Sequence, residues 1–325
     1  MLILFIFLLV AGFAALIKGA DYFVDGSSAL ARIFKVPGVI IGLTVVALGT
    51  SLPELAVSTS AALQGANEIA LSNVIGSNLF NLLVVLGFCA VIHPVPVESV
   101  ILRRDFPLSI LVTVAVLTVT SAKSLFSGSL FTLSMAETAG SVYRPLAIGL
   151  LLVFVAYIVY LVFDARRHPV EDEADKKAPL WKCLLFIVIG LVLITAGGKA
   201  VVFAAQNIAR FFGMTETLIG LTIVAMGTSL PELVTSIVAA RKGEVALAVG
   251  NVVGSNLFNL FFILGVSAAI RPIAVNAASV YDMMILIAVS LLSWIFSLTK
   301  RRIVWGEGAV MLLCYAATAL FAIFR

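Results

Sequence analysis

A chain of 325 residues with 62% hydrophobic residues, 12% charged residues and a mean hydropathy of +1.17 is not built for water. Soluble domains carry about 45–50% apolar and about 25% charged residues, and 17 acids with 21 bases cannot wrap a core of this size in polar surface. The net charge of +4 does not call for nucleic acid, because the bases sit in short loops between apolar runs, where a topological role accounts for them.

Taken in chain order, the apolar runs predict ten membrane segments: 2–24, 39–62, 70–92, 106–122, 146–163, 183–205, 217–240, 246–269, 280–298 and 305–324. About 20 helical residues cross the hydrocarbon layer. The first run passes through Lys18 and Asp21 without a basic leader or a clear cleavage site, so it reads as a retained span. Ser, Gly, Thr and Met are mixed with Phe and Leu at 123–145, which is expected to be a re-entrant or interfacial piece, or an extension of the fifth helix. Continuous apolar runs argue against the alternating strands of a barrel. The linker HPVEDEADKK within 164–182 divides the chain almost in half and reads as a plain connector. Cys89, Cys183 and Cys314 have no pairing or ligand spacing.

Ten spans place Arg32, Lys35, Arg103, Arg104, Arg166, Arg167, Lys176, Lys177, Lys182, Arg241, Lys242, Lys300, Arg301 and Arg302 on one side, 14 bases in all. The other side holds five: Lys123, Arg144, Arg210, Arg271 and Arg325. The positive-inside rule then puts the linker in the cytoplasm and both termini outside the cytoplasmic membrane.

A repeat at an offset of 178 residues carries the functional argument. GLTVVALGTSLPELAVSTSAA from Gly42 and GLTIVAMGTSLPELVTSIVAA from Gly220 agree at 15 of 21 positions, and NVIGSNLFNLLVVLG from Asn73 is matched by NVVGSNLFNLFFILG from Asn251. Hydrophobicity alone would not keep Thr, Ser, Pro, Glu and Asn in the same order. Each half, 1–163 and 183–325, has five spans. An odd number inverts the second half, as in many secondary transporters with a central site. The expected fold is therefore an all-α polytopic membrane protein of ten helices in two inverted five-helix repeats.

Glu54 and Glu232 fall at equivalent positions in the middle of spans two and seven. An ionised carboxylate in hydrocarbon costs several kcal/mol, so such residues face an aqueous or cation-binding interior. Pro53 and Pro231 withhold an N–H from the carbonyls of Gly49 and Gly227. The helices should kink there, with the two glycines giving flexibility and backbone carbonyls turning toward an ion. Thr50, Ser51, Thr228 and Ser229 add hydroxyls in the same turn. Ser77 and Asn81 share one helical face, as do Ser255 and Asn259, with Gly76 and Gly254 admitting a neighbouring helix. Asn78 and Asn256 read either as ligands or as bonding to the open backbone of the other repeat, and Asn73 and Asn251 as capping or cross-linking helices. His93, at a helix end, and His168, in the linker, lie away from this centre. The all-oxygen inventory suits hard cations such as Ca²⁺ and Na⁺ and does not suit Zn²⁺ or Cu⁺.

On the paired GTSLPE and GSNLFN motifs the chain resembles the calcium/cation antiporter superfamily, specifically the short prokaryotic sodium/calcium exchangers. The resemblance implies a secondary active antiporter, not an enzyme, that exchanges Na⁺ for Ca²⁺ in the cytoplasmic membrane and drives Ca²⁺ outward. Protons are the alternative counter-ion, and an uncoupled cation channel is a further alternative. No cofactor is tightly bound, and the partners are the transported ions and membrane lipid. Carried over by resemblance, Glu54 and Glu232 are the central carboxylates. Thr50, Ser51, Thr228, Ser229, Ser77 and Ser255 contribute to sodium sites, Ala47 and Ala225 offer backbone carbonyls, and Asn81 is a central amide. Long, tilted first and sixth helices slide across the core. Asn259 departs from the pattern, which has an acid there; two acids balance one Ca²⁺ but not three Na⁺.

Overall fold

The computed structural model describes residues 1–126, 130, 133–167, 169, 179–214, 219, 223 and 225–324. Among them, helices α1 (Leu2–Phe34), α3 (Glu68–Ile92), α4 (Ile101–Phe126), α5 (Arg144–Arg167), α6 (Leu180–Phe211), α8 (Val245–Ile270), α9 (Ala277–Leu298) and α10 (Trp305–Phe324) are long and apolar enough to cross a bilayer. Helix α2 is a bent pair, Gly38–Thr50 and Leu52–Gln64, meeting at 49°. Its repeat partner α7 is described as Ala225–Gly227 and Leu230–Arg241, and most of its expected first turns, 217–224, lie outside the described residues. Among the described residues nine segments thus stand where the apolar runs put them, and the seventh is described in part. Most of the linker, and His168, also lie outside the described residues.

Two helices are longer than their apolar runs. Helices α1 and α6 have 33 and 32 residues, about 50 Å at 1.5 Å per residue, against a hydrocarbon layer of about 30 Å. Lys18, Asp21 and Asp25 end the hydropathy signal of α1, but the helix continues because they are paired at its polar end. Lys242 Nζ lies 2.7 Å from Asp25 and 3.4 Å from Asp21. The helix stops at Lys35, which takes the left-handed conformation (φ 54°) while its N–H caps the carbonyls of Ala31 and Arg32. Pro37 follows.

Packing divides the chain into two compact units, Met1–Pro53 with Leu161–Ser255, and Glu54–Tyr160 with Asn256–Arg325. Each draws on both sequence halves, and the boundaries fall inside α2, α5 and α8.

The first unit is organised by α1 against α6. Glycines at heptad spacing, Gly12 and Gly19 on α1 and Gly190 and Gly197 on α6, bring the two backbones together. A Cβ at Gly12 would lie 3.1 Å from the Gly197 carbonyl, and one at Gly19 would lie 2.9 Å from the Gly190 carbonyl. Gly12 and Gly190 are repeat equivalents, as are Gly19 and Gly197, so the contact is two-fold in character. Where lipid tails are as apolar as side chains, close backbone packing is what holds helices together. The start of α8 meets α2 in the same way. A Cβ at Gly42 would lie 2.5 Å from the Leu247 carbonyl, and one at Gly250 would lie 2.5 Å from that of Val39.

In the second unit α3 packs on α10, where Gly87 faces Gly308, and α4 packs on α9. Two short antiparallel ladders tie loops to helix ends: β1 (Val95–Pro96) with β4 (Arg302–Ile303), and β2 (Thr138–Val142) with β3 (Ile273–Asn276). The second ladder gives 123–145 its structure. Residues 123–126 finish α4, 127–129 and 131–132 lie outside the described residues, and 138–142 form a strand instead of extending the fifth helix. Its partner is about 130 residues away, so the local sequence carries no period that could reveal it.

Helix α4 starts five residues earlier than its apolar run. Asp105 is fully buried there, bridged to Arg104 at 2.7 Å, and accepts a hydrogen bond from Tyr157 Oη at 3.0 Å. Its partners make burial of the charge tolerable.

Candidate cation site

The TSLPE motif breaks each helix and restarts it. Ser51 (φ −85°, ψ 8°) and Ser229 (φ −94°, ψ 7°) share one turn conformation, and each is followed by a new helix at Leu52 or Leu230. Pro53 and Pro231 therefore sit in a first turn, where a missing N–H costs no helical bond. Glu54 and Glu232 sit in the same first turns, at the partially positive end of the helix. The bend expected from proline is present. Gly49 and Gly227, expected to give flexibility, are packing positions instead. A Cβ at Gly49 would lie 2.7 Å from the Phe23 ring, and one at Gly227 would collide with Val202.

The first unit holds Ala47, Thr50, Ser51, Ala225, Thr228, Ser229, Glu232 and Ser255. Glu232 is buried and Ser51 Oγ donates to its Oε1 at 2.8 Å, while Oε2 has no hydrogen-bond partner among the described residues. Thr50 Oγ1 lies 3.1 Å from both the Val46 carbonyl and Asn251 Oδ1, and Asn251 Nδ2 donates to Ser236 Oγ at 2.9 Å. The Ala47 carbonyl accepts the Ser51 N–H at 3.1 Å and lies 3.4 Å from Thr50 Oγ1. Ser255 Oγ and Thr228 Oγ1 lack partners among the described residues. Gly254 admits α2, a Cβ there falling 2.7 Å from Leu43 Cα.

The second unit holds Glu54, Ser77, Asn81 and Asn259, all buried. Asn73 Nδ2 donates to Ser58 Oγ at 2.9 Å and to the Glu54 carbonyl at 3.3 Å. This bond to Ser58 repeats the one from Asn251 to Ser236, so Asn73 and Asn251 cross-link helices. Asn78 Nδ2 donates to the Asn256 carbonyl at 3.3 Å, and Asn256 Nδ2 to the Asn78 carbonyl at 3.4 Å. These two residues are repeat equivalents bonding to each other's backbone. Ser77 Oγ, Asn81 Oδ1 and Asn259 Oδ1 have no partner among the described residues. Among the described residues nothing lies within 4 Å of a Cβ at Gly76, and the repeat equivalent of Leu43, residue 221, lies outside them.

Two features went unread in the sequence. Ser58 and Ser236 stand four residues after each glutamate, a repeat-matched spacing that could have nominated them. The helices also widen into π turns beginning at the two amides, Asn81–Val85 and Asn259–Ile263. Such turns are common at functional sites, and nothing in the residue types announces them.

Buried acids in broken spans, with hydroxyl or amide oxygens lacking partners among the described residues in each unit, are the features of a membrane transporter for hard cations. Among the described residues no group of three or more His, Cys, Asp or Glu is arranged as a resident metal centre. The chain belongs to the sodium/calcium exchanger protein family, whose pattern matches residues 4–163 and 182–324. It is 39% identical to a putative antiporter, CaxA, of Alkalimonas amylolytica, over 97% of each chain. It is 32% identical to the sodium/calcium exchanger MaX1 of Methanosarcina acetivorans, over 95% of this chain and 96% of that one. A solved structure of the sodium-calcium exchanger NCX_Mj, 29% identical, superposes over the full length of both chains with a TM-score of 0.83. The protein is accordingly a multi-pass secondary active sodium/calcium antiporter with two inverted five-helix repeats, and not an enzyme.

Proposed function

We propose that this chain, in the cytoplasmic membrane, uses the inward sodium gradient to drive Ca²⁺ out of the cell by alternating access. Glu54 and Glu232 are its central acids, and Asn81, Asn259, Thr50, Ser51, Thr228, Ser229, Ser77, Ser255 and the carbonyls of Ala47 and Ala225 are the surrounding ligands. The observation that carries this reading is the Ser51–Glu232 bond, in which a hydroxyl of the first GTSLPE motif holds the acid of the second. One oxygen of that acid is left for a cation. Ca²⁺ accepts six to eight oxygens in flexible geometry, which such a mixed donor set can provide. Empty acids are costly to seal from water, whereas bound cations offset their charge, so movement without cargo is disfavoured. Two carboxylates balance one Ca²⁺.

The halves 1–163 and 183–325 act as the two inverted repeats, with 164–182 between them in the cytoplasm and both termini outside. The 14-to-five asymmetry of bases supports this orientation. Ca²⁺ flux in proteoliposomes at clamped pH tests the function. Uptake should follow an imposed Na⁺ gradient. Indifference to sodium together with a strong response to a pH gradient would replace sodium by protons as the counter-ion, and conductance without any counter-ion would make the protein a channel.

A further inference from the structure

The four asparagines of the two GSNLFN motifs form a hydrogen-bonded chain in the second unit, Asn259–Asn78–Asn256–Asn81, with a reciprocal pair at its centre. Asn259 Nδ2 donates to Asn78 Oδ1 at 2.9 Å, and Asn81 Nδ2 donates to Asn256 Oδ1 at 3.1 Å. The backbone bonds from Asn78 and Asn256 complete it. All four residues are at most 2% exposed.

This chain settles which end of each amide points where. A backbone carbonyl can only accept, so the Asn256 carbonyl requires the Nδ2 end of Asn78. Asn78 must then present Oδ1 to Asn259, and Asn259 must answer with Nδ2. By symmetry the same logic runs from the Asn78 carbonyl through Asn256 to Asn81. What remains on Asn81 and Asn259 is in each case Oδ1, buried and without a partner among the described residues. Flipping either amide would turn an N–H where the oxygen now is and set acceptor against acceptor within the chain of bonds.

We propose that Asn78 and Asn256 are positioning residues. They touch no ion themselves, and they hold Asn259 and Asn81 with the carbonyl oxygen, not the N–H, toward the transported cation. The inference rests on the assignment of Asn81 and Asn259 as ligands. It adds that position 259 is matched to an amide: an aspartate there would place an oxygen against Asn78 Oδ1.

The test is a double-mutant cycle read as the apparent KM for Ca²⁺ in sodium-driven uptake. Asn78→Ala should raise KM about tenfold, the worth of one oriented oxygen contact, because Asn259 can then rotate. Adding Asn259→Asp should recover most of that loss, since either end of a carboxylate is an oxygen and needs no orienting. In the otherwise wild-type protein, Asn259→Asp should improve KM by less than about twofold or worsen it, because of the clash with Asn78. Equal factors in the two backgrounds, the result of simple charge addition, would overturn the proposal, as would an unchanged KM in Asn78→Ala. The mirror pair, Asn256→Ala with Asn81→Asp, gives the same cycle if the first variant does not insert. Absence of sodium-driven Ca²⁺ uptake by the wild-type protein would instead strike the transport reading itself.

Discussion

Ser51 Oγ donates to Glu232 Oε1 at 2.8 Å, joining residues 181 apart in sequence and belonging to opposite repeats. A hydrogen bond to a buried carboxylate is worth about 1.5–3 kcal/mol. Ser51→Ala should therefore weaken Ca²⁺ activation roughly tenfold to a hundredfold while insertion is retained. Radiotracer uptake against Ca²⁺ concentration measures this; an unchanged half-saturation would mean that the bond contributes nothing to ion binding.

Glu232→Gln and Glu54→Gln keep the shape of each side chain and remove its charge. Each should abolish sodium-driven Ca²⁺ uptake or reduce it to a few per cent at most. Normal flux in either variant would remove that residue from the site.

Calcium should also stabilise the folded protein. A ligand at about 100 times its Kd adds roughly 2.7 kcal/mol to stability, so the Tm of the wild-type protein in detergent should rise on titration with Ca²⁺. In Glu232→Gln the Tm should respond little to Ca²⁺. An equal response in both would place the bound ion elsewhere.

The α1–α6 contact is the place where a single methyl should do most damage. A Cβ at Gly19 would meet the Ile194 nitrogen at 2.7 Å and the Gly190 carbonyl at 2.9 Å, backbone atoms that cannot rotate away. Gly19→Val should lower the Tm by several degrees. Gly149→Ala, where nothing described lies within 4 Å, should be neutral or stabilising by up to about 1 kcal/mol. Thermal melts of the two variants side by side test the contrast.

Tyr157→Phe removes the Oη–H that reaches Asp105 at 3.0 Å. Because Asp105 is fully buried, about 1–3 kcal/mol of stability should be lost, with the Ca²⁺ KM unchanged. A shift in KM without loss of stability would give this cluster a role in transport.

The sequence by itself determined the membrane setting, the ten segments, the inverted duplication and the identity of the paired motif residues. These follow from long apolar runs and from the 178-residue offset, which are one-dimensional properties. Tertiary structure alone decided the rest. The acid of one motif meets the serine of the other, and the 138–142 segment becomes a strand because its partner is far along the chain. Gly254 meets Leu43 at a backbone contact that no single residue type announces. Asn78 and Asn256 bond reciprocally to each other's backbone across the repeats. In each case the deciding quantity is a distance between residues remote in sequence, and hydrogen bonding and packing have a range of a few ångströms. No local pattern of residue types encodes which remote groups come within that range.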